Sequence, residues 1–130
     1  MAYYLDTSAM AKLVVAEAET AGLLDWIDSG DRDCVANDLA RAELMRAVRR
    51  AAPDLAPRAR EVLDAVVLVE VTSAVFAAAG RLEPSSLRTL DAVHVASALD
   101  LGDDLEALVT YDQRLADAAN ANGIRVLAPR

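Results

Sequence analysis

The sequence predicts an α/β protein, folded as a three-layer α/β/α sandwich around a short, mostly parallel central sheet. Three observations support this prediction. Short apolar segments alternate with segments of helical periodicity, which is the pattern of βαβ units. Apolar residues make up 55% of the 130 residues, which is enough for one sizeable core. No repeat, linker or low-complexity segment divides the chain, so we expect a single domain spanning residues 1–130.

The first half of the chain is expected to form two strands and four helices. The strands are expected at 2–6 and 33–37, where short apolar runs end in a polar residue. Asn37 is a possible N-cap of the helix that follows, and Pro53 ends that helix. The helices are expected at 8–16, 17–29, 38–51 and 56–65.

The second half is expected to form three strands and three helices. The strand at 66–71 is rich in β-branched residues. The helix at 87–99 is almost entirely apolar, so we expect it to be buried on most sides. A loop is expected at 83–86, and Gly123 ends the last helix. The other elements are a helix at 73–82, a strand at 107–111, a helix at 112–123 and a strand at 124–128.

Composition and charge exclude several classes of protein. The net charge of −8 argues against general electrostatic attraction to nucleic acid. The apolar runs are too short to span a bilayer, and the N-terminus lacks the basic and apolar regions of a signal peptide. Cys34 is the only cysteine, which excludes an internal disulfide and fits a reducing cytosol. We therefore expect a cytoplasmic protein.

Basic residues are concentrated in one part of the chain. Six of the 13 lie in a short stretch: Arg41, Arg46, Arg49, Arg50, Arg58 and Arg60. This run predicts a local basic surface on an acidic protein or, as for most charge runs, a solvated helix face.

Two aspartates follow predicted strands. Asp6 ends the first strand, and Asp112 follows the strand at 107–111. Ligands of open parallel sheets bind at the carboxyl ends of the strands, so both side chains are candidates for a site at one edge. The alternative is helix capping, because each aspartate precedes a helix. For Asp6 the hydroxyl of Thr7 or Ser8 could serve as the cap instead.

Two further acids lie on helix faces that should be buried. Glu43 falls within the apolar half of its helix, where an ionised carboxylate is costly unless it is paired or binds metal. An ion pair with Arg46 or Arg50 is the structural alternative. Asp91 opens the apolar helix, where it could simply complement the helix dipole, yet only His94 nearby is polar.

The four acids together predict a metal site. Clustered carboxylates repel one another and resist ionisation without a cation. Their oxygens select Mg²⁺ or Mn²⁺, whereas a single cysteine and a single histidine exclude ordinary zinc sites. A hydrated Mg²⁺ ion suits phosphate chemistry.

Four motifs in order resemble those of the PIN-domain ribonucleases, and more narrowly the VapC-like toxins of type II toxin–antitoxin pairs. The first motif is a strand followed by "DTSA" and Lys12, and the second is "ARAEL". The third and fourth are "LRTLDAVHVASAL" and "LVTYDQRLADAA". The resemblance covers the whole chain.

The resemblance implies an acidic pocket that binds one or two Mg²⁺ or Mn²⁺ ions and consists of Asp6, Glu43, Asp91 and Asp112. It implies that a metal-activated water attacks an RNA phosphodiester, leaving a 5′-phosphate and a 3′-hydroxyl. Thr7, Ser8 and Thr110 match positions where a hydroxyl supports the pocket or the scissile phosphate. The resemblance also implies a homodimer and a cognate antitoxin protein.

Three further interpretations concern the arginines near Glu43, His94 and Trp26. We hypothesise that the arginines nearest Glu43 contact RNA phosphates, namely Arg46, Arg49 and Arg50. His94 is expected to be a packed or supporting residue. Trp26 is expected in the core or at a dimer surface, where it would not stack on bases.

Two alternative functions remain at the level of sequence. A degenerate PIN-like module could bind antitoxin or RNA without cleaving it. A magnesium-dependent phosphotransfer domain would also place aspartates at strand ends. The phosphatases of that kind carry a second aspartate two residues after the first, where this chain has Ser8. Receiver domains need a phosphoacceptor aspartate after a middle strand, and 66–71 runs into Thr72 and Ser73.

Overall fold

The computed structural model describes all 130 residues, Met1–Arg130. Five strands form one sheet in the order β3-β2-β1-β4-β5, and every neighbouring pair is parallel. The strands are β1 (Ala2–Leu5), β2 (Asp33–Asn37), β3 (Val67–Val69), β4 (Leu105–Val109) and β5 (Val126–Leu127). The predicted α/β sandwich is confirmed, with a sheet that is parallel throughout.

Seven α-helices connect and cover the strands. They are α1 (Thr7–Val14), α2 (Thr20–Asp28), α3 (Leu39–Ala51), α4 (Ala56–Ala65), α5 (Ser73–Arg81), α6 (Thr89–Asp100) and α7 (Gln113–Ala121). Short 3₁₀ turns precede α4 at Pro53–Leu55 and β4 at Gly102–Asp104. None of the helices is long and apolar enough to cross a membrane.

The two faces of the sheet carry separate parts of the core. Successive residues of a strand point to opposite faces. Leu5 accordingly packs with Leu44 and Val48 of α3. Its neighbour Tyr4 packs with Val95 of α6 and Leu115 of α7 on the other face. A third apolar cluster joins α5 to α6. This arrangement gives the three layers and places α3 and α6 on opposite sides of β1.

Among the strands, the largest departure from the predicted boundaries is in β4. The strand was expected at 107–111 but is found at Leu105–Val109. It ends early because the backbone N–H groups of Tyr111 and Asp112 donate to side-chain hydroxyls of Ser8 and Thr110. β3 and β5 are also shorter than expected, whereas β2 and α4 have the predicted bounds. Gly123, with φ of 79°, follows α7 as predicted.

The carboxyl ends of β1 and β4 are adjacent in the sheet. Leu5 lies opposite Val109, and the backbone N–H of Asp6 donates to the carbonyl of Val109 at 3.2 Å. Asp6 and Asp112 therefore follow neighbouring strands at the same edge, as the sequence predicted.

Candidate active site

Asp6 is a buried carboxylate held by three hydrogen bonds. Its Oδ1 accepts from the hydroxyl of Ser8 at 2.7 Å and from the backbone N–H of Ala9 at 3.0 Å. Its Oδ2 accepts from the hydroxyl of Thr110 at 2.7 Å. Asp6 is thus the N-cap of α1, so the capping interpretation is correct for this residue. An aspartate that only caps a surface helix does not need to be buried. Asp6 is only 4% exposed, so capping alone does not account for its burial.

Burial raises the pKa of Asp6, while the hydrogen bonds from Thr110, Ser8 and Ala9 oppose that rise. The three donors therefore compensate in part for taking a carboxylate out of water. A cation next to Asp6 would compensate further.

Ser8 and Thr110 join the ends of β1 and β4. Their hydroxyl oxygens lie 3.3 Å apart. Ser8 Oγ accepts from the backbone N–H of Tyr111 at 3.0 Å, and Thr110 Oγ1 accepts from that of Asp112 at 3.0 Å. Of the three hydroxyls that the sequence singled out, those of Ser8 and Thr110 contact Asp6 directly and fix the position of its carboxylate.

Glu43 is bound by residues from two other elements. Its Oε1 accepts from the hydroxyl of Thr7 at 3.2 Å and lies 2.6 Å from Nε2 of His94 on α6. The expected alternative, an ion pair with Arg46 or Arg50, is wrong because neither arginine forms an ion pair with it. The carboxylate of Glu43 therefore faces two polar groups, the hydroxyl of Thr7 on α1 and the imidazole of His94 on α6.

Tyr4 and His94 extend this contact into the core. The hydroxyl of Tyr4 lies 2.7 Å from Nδ1 of His94, and both side chains are buried. Burial raises the pKa of Tyr4 far above its usual range, so its hydroxyl stays protonated. Burial alone would raise the pKa of Glu43, but the hydrogen bond and charge of His94 outweigh it and lower that pKa. An ionised carboxylate only accepts hydrogen bonds, so Nε2 of His94 carries a proton and donates to Glu43.

Asp91 and Asp112 complete the predicted set. Asp91 lies in the first turn of α6, is half-buried and receives no hydrogen bond. Its pKa is raised by burial first and then by the charge of Asp112, with a smaller effect from Glu43. Asp112 is the N-cap of α7, and its Oδ1 accepts from the backbone N–H of Arg114 at 2.9 Å. Asp112 and Glu43 thus lie close enough to Asp91 for their charges to raise its pKa.

The donor set matches a hard divalent cation in its chemistry. The protein donates no hydrogen bond to Oε2 of Glu43, to Oδ2 of Asp112 or to either oxygen of Asp91. Free carboxylate oxygens are the ligands that Mg²⁺ and Mn²⁺ prefer. No group of three or more His, Cys, Asp or Glu side chains is preassembled around one point, however. The four-carboxylate pocket therefore stays a prediction.

The arginines expected to contact RNA lie together on α3. Arg46, Arg49 and Arg50 are exposed, make no ion pair, and alone line a surface depression of about 260 Å³. Trp26, in contrast, is used in packing. Its ring meets that of Tyr3 edge-on, with centroids 4.9 Å apart.

Sequence reasoning missed three polar contacts. The Tyr4 hydroxyl was hidden within an apolar strand. Asn37, expected only as a cap, does accept from the N–H of Leu39, and it also donates to Ser97 Oγ at 3.0 Å. The sequence signal for this contact was the position of Asn37 as the last residue of a buried strand. Lys12 lies in the first of the four quoted motifs, and in the structure its ammonium contacts two nearby glutamates, Glu17 and Glu19.

Comparison with known proteins identifies the class to which this fold and site belong. The sequence profile of the PIN domain matches residues 3–121. The chain belongs to the PIN-domain family. Its relatives include ribonuclease VapC46 of Mycobacterium tuberculosis strain H37Rv, which is 43% identical over 128 residues and covers 98% of each chain. Ribonuclease VapC47 of strain CDC 1551 is 39% identical, covering 97% of this chain and 96% of its own.

Solved structures share the fold at low sequence identity. VapC20 of Mycobacterium tuberculosis, a toxin that cleaves the sarcin–ricin loop, superimposes with a TM-score of 0.78 at 18% identity, covering 98% of this chain and 99% of that chain. A toxin–antitoxin complex from Klebsiella pneumoniae gives a TM-score of 0.74 at 18% identity, with 98% of both chains covered. The architecture is therefore that of VapC proteins.

Proposed function

We propose that this chain is a metal-dependent endoribonuclease and the toxin of a type II toxin–antitoxin pair. Membership of the PIN-domain family and 43% identity to a VapC ribonuclease support the reaction class. The observation that carries the metal dependence is Asp91, a half-buried carboxylate without a donor, whose pKa is raised by burial and by the charge of Asp112. A divalent cation beside these acids would remove that repulsion.

One or two Mg²⁺ or Mn²⁺ ions would be held by the four carboxylates, Asp6, Glu43, Asp91 and Asp112. When bound, the cation supplies positive charge that acidifies water and stabilises negative charge developing on phosphoryl oxygens. Ser8 and Thr110 orient Asp6 through their hydroxyls. His94 and Thr7 orient Glu43 and keep one of its oxygens free.

RNA is the proposed substrate, bound through a local basic surface because the net charge of −8 disfavours a general one. The exposed arginines of α3, on the helix of Glu43, would contact its phosphates: Arg46, Arg49 and Arg50. We further propose a cognate antitoxin protein as partner, a homodimer, one functional domain over residues 1–130, and a cytoplasmic location.

The proposal is tested by incubating the purified, antitoxin-free protein with structured and single-stranded RNAs in Mg²⁺, Mn²⁺ or EDTA. We expect cleavage that requires metal and is lost in Asp6→Ala and Glu43→Gln. Asp25→Asn, an exposed change on α2, is the matched control and should cleave as the parent does. Cleavage that persists in EDTA and in both site variants would contradict the proposal.

Metal binding is tested separately by unfolding in urea. A ligand that binds only the folded state stabilises it by about 2.7 kcal/mol at a hundredfold excess over its Kd. We expect added Mg²⁺ to stabilise the parent and the Asp25→Asn control but not Asp6→Asn. If the protein neither bound metal nor cleaved RNA, the proposed function would be contradicted and only the assignment of the fold would remain.

A further inference from the structure

A cleft of about 480 Å³ lies between α6 and α7 beside the carboxylate of Asp91. Its size falls within the range of small-molecule sites, about 300 to 1,000 Å³. The apolar side chains of Leu87 and Ala118 line it together with the exposed arginines Arg88 and Arg114. The cleft is thus a partly apolar space, lined by two arginines and by the carboxylates of Asp91 and Asp117, that adjoins the proposed metal site.

The two arginines of the cleft form no ion pair in the protein, although the charge of Arg88 lowers the pKa of the nearby Asp91. The arginine ion pairs in the structure involve other positions: Arg41, Arg58, Arg125 and Arg130. Asp117 also lines the cleft, but its Oδ1 accepts from Nε2 of Gln113 at 2.8 Å and it forms no ion pair with Arg114. Two guanidinium groups therefore remain available for an anion from solution.

We propose that this cleft binds one nucleotide of the RNA substrate, with a phosphate next to the scissile one held between Arg88 and Arg114. The inference rests on the proposed ribonuclease function. A guanidinium group matches phosphate with two parallel hydrogen bonds. The apolar lining offers contact area to the sugar or base, whose faces are largely apolar.

The position of the cleft beside the carboxylates favours an RNA strand over a small anion. β1, which Asp6 follows, is adjacent to β4 in the sheet. Arg114 lies in the first turn of α7 after β4, and Arg88 is the N-cap of α6, which carries Asp91 in its first turn. A strand whose scissile phosphate lay at the carboxylates would therefore meet both cleft arginines. This arrangement would let a protein of net charge −8 hold a polyanion.

The experiment measures binding of a short fluorescein-labelled single-stranded RNA of mixed sequence by anisotropy, in Mg²⁺ and across a salt series. The Glu43→Gln background prevents cleavage. Arg88→Gln and Arg114→Gln are compared with Arg125→Gln, which removes the same charge from an exposed position before β5 that pairs with Glu106, away from the cleft. Arg114→Lys keeps the charge but cannot form the two parallel hydrogen bonds. Circular dichroism melts verify that each variant is folded.

We expect each cleft variant to bind RNA about tenfold more weakly and to lose about 0.7 from the slope of log K against log salt. Arg125→Gln should bind as the background does, and Arg114→Lys should recover the slope but only part of the affinity. Binding and slope unchanged in both cleft variants would overturn the inference and leave the proposed function intact. If the unmodified protein neither bound nor cleaved RNA, both would fail. If the cleft variants bound RNA as the background does but bound a poly-aspartate peptide more weakly, the cleft would be assigned to a protein partner and the inference would be overturned.

Discussion

His94 links Glu43 to Tyr4. Its Nε2 lies 2.6 Å from Oε1 of Glu43, and its Nδ1 lies 2.7 Å from the hydroxyl of Tyr4. The imidazole thus connects a carboxylate of the proposed site to the most deeply buried tyrosine of the central strand. Because both ring nitrogens are engaged, the ring orientation is fixed, and His94 joins Thr7 as a donor to the Glu43 carboxylate.

Replacing Tyr4 with Phe should destabilise the protein by about 1 to 3 kcal/mol, because Nδ1 of His94 would be buried without a partner. Tyr3→Phe is the matched control in the same strand. The Tyr3 hydroxyl makes no hydrogen bond, so this change should alter stability by no more than about 0.5 kcal/mol. Urea unfolding of both variants measures the difference. Equal effects would mean that the Tyr4 hydroxyl does not hold His94.

Thr110→Val should be more damaging than Thr110→Ser. Valine matches the shape of threonine but removes the donor to Oδ2 of Asp6 and the acceptor for the N–H of Asp112. Hydrogen bonds to charged groups contribute about 1.5 to 3 kcal/mol, and we expect a loss of that size by urea unfolding, together with a fall in RNA cleavage. Serine keeps the hydroxyl and should retain most of both. If serine were as damaging as valine, packing of the methyl group would be the cause.

Asp91→Asn should stabilise the metal-free protein at neutral pH. Burial and the charge of Asp112 raise the pKa of Asp91 above its ordinary value of 3.8. A carboxyl with a raised folded-state pKa opposes folding above both pKa values, and this penalty vanishes below the unfolded value. The variant should therefore be the more stable form at pH 7, and the difference should shrink as pH falls towards 3.8.

Urea unfolding from acidic to neutral pH in EDTA checks this prediction, with Asp25→Asn as the exposed control. Added Mg²⁺ should reverse the order of stability at pH 7, because only the parent retains the full ligand set. A variant that is less stable than the parent without metal would mean that the helix dipole dominates at Asp91.

Much of the fold was predictable because its signals are local. The strand at 33–37 and the helix at 56–65 were predicted with the observed bounds, since polar residues or breakers flank each. The end of β4 was not predictable from its own residues. Ser8, more than a hundred positions earlier in the chain, accepts the backbone N–H of Tyr111, which ends the strand pairing.

The residues of the candidate site were chosen from the sequence and stay a prediction, whereas their contacts were not predictable. Asp6 and Glu43 stood out because a carboxylate interrupts an apolar pattern, and both are held by donors in the structure. The partner of Glu43 could not be read from its own helix, where Arg46 was the obvious candidate. Tyr4 and His94 are 90 positions apart, and only the packing of α6 on β1 brings them together.

Gly22→Ala should destabilise the protein, whereas Gly80→Ala should stabilise it. A Cβ at Gly22 on α2 would overlap the backbone of Arg130, with the carbonyl oxygen 2.7 Å away. That segment is anchored, since Tyr111 donates to the carbonyl of Pro129 at 2.6 Å and Arg130 lies 3.6 Å from Glu19. Small-to-large changes in such places cost about 1 to 3 kcal/mol.

A Cβ at Gly80 on α5 meets nothing within 4 Å, so the change to alanine should stabilise by about 0.5 to 1 kcal/mol through helix propensity. Both glycines are in helices, so alanine should gain the same helix propensity at each. The difference in stability between the two variants therefore measures the contact with Arg130. Urea unfolding of the two variants at one pH measures it. If Gly22→Ala gained stability as Gly80→Ala does, the terminal segment would have moved away at no cost, and its contacts with Tyr111 and Glu19 would contribute nothing to the folded state.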